Sequence, residues 1–202
     1  LHAADGEFTY DGESHTYSGL SDLSFTQSGK KYTLSGVSAS VTAKDAGNYP
    51  VVIEGVPRIY DATGNDVTMQ FEVHLYSGTL TVRQRSVVIE SDSAEKEYDG
   101  SPLTALTYRI SGDGFVKEEG VSVVFQGSQT VVGASENAFI YEAEDGTDLN
   151  NYKISVVYGM LNVLSRFSKY TIDLYAESVS SVYNGFVQKA DRILQNRFEI
   201  EG

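Results

Sequence analysis

The chain repeats itself, and no other property restricts its fold as strongly. Tyr10-Asp11-Gly12 recurs as Tyr98-Asp99-Gly100, 88 positions later, and in weaker form as Tyr183-Asn184-Gly185, a further 85 on. The landmarks after the motif keep their order. Gly36-Val37-Ser38 matches Gly120-Val121-Ser122, and Ile59-Tyr60-Asp61-Ala62 matches Ile140-Tyr141-Glu142-Ala143. Gly78-Thr79-Leu80-Thr81-Val82 matches Gly159-Met160-Leu161-Asn162-Val163. Collinear landmarks with a slowly drifting offset mean a duplicated unit of about 80 residues with small insertions. The expected units are a first module over 1–84, a second over 85–165, and a partial third module or capping tail over 166–202.

Inside each unit the apolar pattern has period two. Thr79-Leu80-Thr81-Val82, Glu72-Val73-His74-Leu75 and Lys153-Ile154-Ser155-Val156 all alternate. Alternation places one face of a strand on a core and the other in water. Turn dipeptides (Asp11-Gly12, Asp99-Gly100, Asp145-Gly146) punctuate these runs. The second unit reads as seven strands over 86–91, 95–98, 104–111, 121–126, 138–143, 152–157 and 160–164. The expected fold class is all-β, as two tandem small antiparallel Ig-like sandwiches. A β-grasp arrangement is the alternative, should Phe115–Glu119 extend beyond one helical turn into a helix. Each unit is expected to fold on its own sheets, with no continuous core shared between 7–82 and 86–164. Only Arg83-Gln84-Arg85-Ser86 separates the closing strand of the first unit from the opening strand of the second. A connection this short, without Gly or Pro, is no flexible linker. The tail opens with Tyr170–Leu174, similar to an opening strand, and Val187–Phe198 has helical composition.

The net charge is −13, distributed as −4 over 1–85, −9 over 86–165 and zero over 166–202. An acidic surface repels a phosphate backbone, so nucleic acid is not an expected partner. No run of about 18 apolar residues appears, so no membrane insertion by this segment is expected. Leu1-His2-Ala3-Ala4 lacks a charged start and an apolar stretch, and reads as the cut end of a longer protein. With no Cys there is no disulfide, thiol nucleophile or thiolate metal site.

The motif has a structural reading. Tyr ends a strand with its ring at the edge of the core, Asp accepts backbone hydrogen bonds in the turn, and Gly supplies positive φ. A nucleophile–base constellation is not visible: the three histidines are His2, His15 and His74, and there is no Gly-X-Ser-X-Gly elbow. The chain is therefore expected to be non-enzymatic. Calcium is the one metal candidate, at Glu142, Glu144, Asp145 and Asp148, although Gly146 falls where an EF-hand would have a ligand. A Lys96–Asn162 isopeptide bond is a further candidate cross-link. Otherwise no cofactor is expected.

Ser93-Ala94-Glu95-Lys96-Glu97-Tyr98-Asp99-Gly100-Ser101-Pro102-Leu103-Thr104 resembles the opening of the bacterial surface repeats called YDG or MBG-type modules. Gly127–Gly133 resembles the central segment of that family, Asp148–Ile154 its Asn-Tyr-X-Ile step, and Gly159–Val163 its closing strand. The resemblance covers 86–164 well, 7–82 more loosely and 170–185 in part. It implies tandem modules of a cell-wall-attached or secreted protein, mainly of Gram-positive bacteria. It also implies a stalk role, or alternatively an adhesin module that binds host glycan or protein. The family has no catalytic residues to carry over.

Overall fold

The computed structural model describes residues 1–21, 23–169, 172–190, 192 and 193. Its elements are strands and two single 3-10 turns, Thr68–Gln70 and Leu149–Asn151. The chain is all-β, in the sandwich style the alternation implies. No described helix is long and apolar enough to cross a membrane.

In the first unit β1 (Gly6–Thr9), β7 (Gly78–Arg83) and β5 (Gly47–Val51) form one sheet in the order β1-β7-β5. The long strand β4 (Lys30–Ala43) carries the other. It pairs with β2 (His15–Ser18), β3 (Ser24–Gln27) and β6 (Ile53–Asp61). In the second unit β9 (Ala94–Glu97), β15 (Met160–Leu164) and β12 (Gly133–Glu136) repeat the first sheet as β12-β15-β9. The strands β10 (Tyr108–Gly112), β8 (Arg85–Ser91) and β14 (Tyr152–Val157) form a second sheet in the order β10-β8-β14. A third pair is β11 (Val121–Phe125) with β13 (Phe139–Ala143).

The sandwiches are not purely antiparallel. β8 and β14 run parallel, then both cross to the other sheet at the same level and continue as the parallel pair β9 and β15. The first unit does the same: His2 bridges Tyr76 in parallel, and β1 then runs parallel to β7. Two chains that change sheet together must pass very close. That closeness explains the glycine that opens each closing strand. A Cβ on Gly78 would lie 2.4 Å from the carbonyl oxygen of Ala4, and one on Gly159 would lie 2.5 Å from that of Asp92. Beyond those glycines, Leu80, Val82, Leu161 and Val163 are all buried.

Several expectations need correction. The second unit has eight strands, because Gly133–Glu136 adds one that its Gly and Glu content conceals. Residues 104–107 form no strand. Phe115–Glu119 makes only a turn, with Glu118 at φ 69°, so the helix a β-grasp needs is missing. The shared Ile-Tyr-Asp/Glu-Ala landmark does not occupy the same face in both units. Ile59 is buried, whereas Ile140 is 48% exposed. The ladders show why. Val51 lies opposite Gly78, and the Asn137 amide bonds the Gly159 carbonyl, which makes Val51 and Asn137 equivalent at an offset of 86. The closing strands are offset by 81, so the first unit holds five extra residues in between. An odd slip turns every side chain to the other face.

Among the described residues, no strand ladder joins those before Gln84 to those after it. The apolar interior nevertheless runs through. One cluster of buried apolar residues holds Ala39, Val51 and Leu80 together with Val87, Ile89 and Phe139, and it includes Tyr10, whose ring meets that of Tyr152 at 5.5 Å. Separate sheets are present; separately packed cores are not, since buried residues of both units belong to one cluster. Past Leu164 the described residues include an isolated bridge, Ala176 to Ile193. Residues 172–174 form no strand and 187–190 no helix, while 170, 171, 191 and 194–198 of those expectations lie outside the described residues.

Candidate functional site

The three motif copies share one local geometry. Asp11 Oδ1 accepts from the Glu13 amide at 3.0 Å, Asp99 Oδ1 from the Ser101 amide at 2.9 Å, and Asn184 Oδ1 from the Phe186 amide at 3.1 Å. Gly12, Gly100 and Gly185 have φ of 84°, 84° and 80°. The acceptor two residues upstream and the left-handed glycine together close the turn, which is why these residue types recur at this spacing. Neighbours reinforce it differently. His15 holds Asp11 at 2.8 Å, and the Lys96 ammonium holds Asp99 at 2.7 Å. The Glu13 amide and His15 keep the Asp11 carboxyl below its ordinary range, and Lys96 with Ser101 does so for Asp99.

What differs is the tyrosine. Tyr10 is 2% exposed, Tyr98 is 38% and Tyr183 is 91%. Tyr10 is covered by the second unit and marks the candidate site, the junction between the modules. β7 ends at Arg83 and β8 begins at Arg85, so Gln84 alone separates them. The Tyr10 hydroxyl donates to Glu119 Oε1 at 2.6 Å, and the Tyr152 hydroxyl donates to Glu119 Oε2 at 2.6 Å. The two rings meet edge to face, centroids 5.5 Å apart, and Phe115 packs on Tyr152 at 4.9 Å. One carboxylate thus ties a ring from each module. Burial and the adjacent Glu119 charge push the Tyr152 hydroxyl up to about 12 and raise Tyr10 as well. Both disfavour a second negative charge in a partly desolvated place.

Further bonds surround this pair. Asn151, buried, accepts from the Ala46 amide at 2.7 Å and donates to Asp45 at 3.1 Å. Gln84 donates to the Asn150 carbonyl at 2.9 Å. Arg85 donates to the carbonyls of Gly114 and Asp113 at 2.8 and 2.7 Å, fixing the turn that carries Glu119. Val116 closes over Gly12, where a Cβ would sit 2.7 Å from its methyl carbon. Beside the junction lies an open cleft of about 820 Å³ with mixed charge, including Asp11, Glu13, Lys44, Arg85, Glu118 and Asp145.

The other candidates are not assembled. Asp148 uses its carboxylate on the Asn150 amide and side chain, capping the Leu149–Asn151 turn. Glu142 lies within β13, opposite Ser122, and Glu144 and Asp145 follow in the turn closed by Thr147. Among the described residues, no three side chains of metal-ligating type gather. Lys96 cannot reach Asn162 for an isopeptide bond. Asn162 lies opposite Glu95 and bonds it at 2.7 Å, and Lys96 is next along that strand, so their side chains take opposite faces. The sequence reading passed over Glu119, Asn151 and Tyr152 as junction residues. A signal was available in the difference between the repeats: the positions corresponding to Asn151 and Tyr152 hold Gln70 and Phe71 in the first unit. Comparison with family models, with curated proteins and with solved structures gave no match.

Proposed function

We propose that this chain is a non-catalytic spacer segment of a surface-exposed or secreted bacterial protein, built to hold consecutive modules at a fixed angle. The observation that carries the reading is the junction. A single residue separates two strands of successive modules, and a buried tyrosine of one is bonded to a carboxylate of the other. A swinging linker would leave Tyr10 in water. Burying the ring and satisfying its hydroxyl favours one orientation over all others. The surface location rests on the family resemblance of 86–164. Small-angle scattering tests the mechanical claim. An extended two-module particle whose profile fits one conformation is expected, and a profile that demands a broad ensemble of inter-module angles would refute it.

A further inference from the structure

Both modules set their opening and closing strands side by side and parallel. In the second, β8 pairs with β14 from Arg85↔Tyr152 to Glu90↔Val157, and β9 pairs with β15 from Ala94↔Leu161 to Glu97↔Leu164. In the first, β1 pairs with β7 from Gly6↔Leu80 to Thr9↔Arg83. The motif tyrosine adds a bond at the far end of each ladder. The Tyr10 amide donates to the Arg83 carbonyl at 2.9 Å, and the Tyr98 amide to the Leu164 carbonyl at 2.8 Å. In the second module the step between sheets is bonded as well. The Gly159 amide donates to the buried Ser91 hydroxyl, and the Met160 amide to the Ser93 hydroxyl, both at 2.9 Å.

The points where the chain enters and leaves decide how such a ladder meets tension. The chain enters the second module at Arg85, the start of β8, and leaves it past Leu164, the end of β15. In a parallel pair those two points lie at opposite ends. A pull on the chain therefore draws β8 and β9 one way and β14 and β15 the other, along the strands and across their hydrogen bonds. Bonds loaded in this way share the force and must fail together. Two strands pulled apart from the same end lose them one at a time. Tension also arrives without slack, because Gln84 alone lies between β7 and β8 and no flexible linker stretches first. We infer that the parallel ladder of opening and closing strands is a shear clamp, and that this chain bears tensile load along its length. The inference deepens the spacer reading from fixed orientation to transmitted force, and it rests on that reading for the setting in which force arises.

Single-molecule force spectroscopy on the full chain tests it, with cysteine handles in a sequence that has no Cys of its own. Two pairs of exposed positions load the same ladder in different directions. Gln84→Cys with Ser165→Cys pulls lengthwise. Gln84→Cys with Lys153→Cys pulls the starts of β8 and β14 apart. The lengthwise pair should rupture in one step, at a force at least about twofold above that of the other pair. Equal forces, or lengthwise rupture in several small steps, would overturn the inference. Two further variants locate the resistance. Ser91→Ala, at the step between sheets, should lower the lengthwise force by at least about a quarter, and Val121→Ala, a core truncation on β11 away from the ladder, by less than about a tenth. The reverse order would also overturn it. Tyr10→Ala should leave the ratio between the two pulling directions unchanged, because the ladder under load lies wholly in the second module. A ratio that collapses in Tyr10→Ala would assign the resistance to the junction and overturn the clamp. Scattering that finds a broad range of inter-module angles leaves the ratio as predicted, so the two claims fail separately.

Discussion

Tyr10 and Tyr98 occupy the same place in two copies of one motif, with the same turn and the same glycine φ beside them. Tyr10 is sealed between modules, whereas Tyr98 keeps more than a third of its surface in solvent. Local sequence determines the turn; the surroundings determine what the ring does. Tyr10 meets Glu119, Asn151 and Tyr152 from the following module, whereas Tyr98 is 38% exposed. A repeat motif can thus be structural in every copy and act as a lock only where the next module supplies the receptor.

The sharpest way to break this comparison is to truncate both rings. Tyr10→Ala removes a buried aromatic ring at the junction and should cost about 3–5 kcal/mol, the range for large-to-small core changes. Tyr98→Ala should cost less than about 1 kcal/mol, as expected for a substitution at a largely exposed position. Urea unfolding of the two variants measures both. Equal losses would mean that the junction contributes nothing special.

The next largest effect tests what the modules share. Gly78→Ala and Gly159→Ala each push a methyl into the carbonyls of the crossing strand, and each should cost about 1–3 kcal/mol, the range for overpacking. Similar losses in thermal melts are expected, since both crossings have the same geometry. A neutral result at either site would separate the two folds. Glu119→Gln is milder. It keeps the shape but removes the charge and one of the two acceptor oxygens, so one tyrosine hydroxyl loses its acceptor, a loss of about 1–2 kcal/mol by urea unfolding. The Tyr152 hydroxyl, held at about 12, should titrate closer to its ordinary value in this variant, read by ultraviolet absorbance.

The pH dependence is smallest at neutrality and grows at both extremes. Tyr10 and Tyr152 have raised folded-state values, so their contribution is fully present below the unfolded value near 10. It is lost as pH climbs from about 10 through 12, because the unfolded chain releases those protons first. Asp11 and Asp99 have depressed values, so their contribution holds above the unfolded value near 4 and is lost as pH falls below it. Melting temperature against pH should show the alkaline loss reduced in Tyr10→Phe and the acid loss unaffected by it.

Much of this architecture is legible in the sequence, and the gaps have physical causes. Period-two runs such as Thr79–Val82 locate the closing strands because one face of each is buried. The repeat offset locates the boundary at Gln84. The eighth strand escaped notice because Gly133–Glu136 is mostly exposed and has no apolar alternation to betray it. The parallel pairs escaped because period two records burial and carries no strand direction. Asn137 is fully buried in the second module where the first has Val51, its amide bonding the carbonyls of Asp92 and Ala105. A lone Asn after Glu136 reads as a turn, since only the fold supplies its carbonyl partners. Glu119 was hidden in Lys117-Glu118-Glu119, the charged end of a segment that reads as one helical turn; two of those three side chains are exposed. Nothing local distinguishes the third, which finds its partners 109 and 33 residues away.

The absence of native cysteine makes the decisive measurement simple. Spin labels at Met69→Cys and Val131→Cys, exposed positions in the first and second modules, report the inter-module distance by pulsed dipolar spectroscopy. A single narrow distribution that broadens in Tyr10→Ala is the predicted result. A broad or multi-peaked distribution in the parent chain, unchanged by that substitution, would contradict the lock.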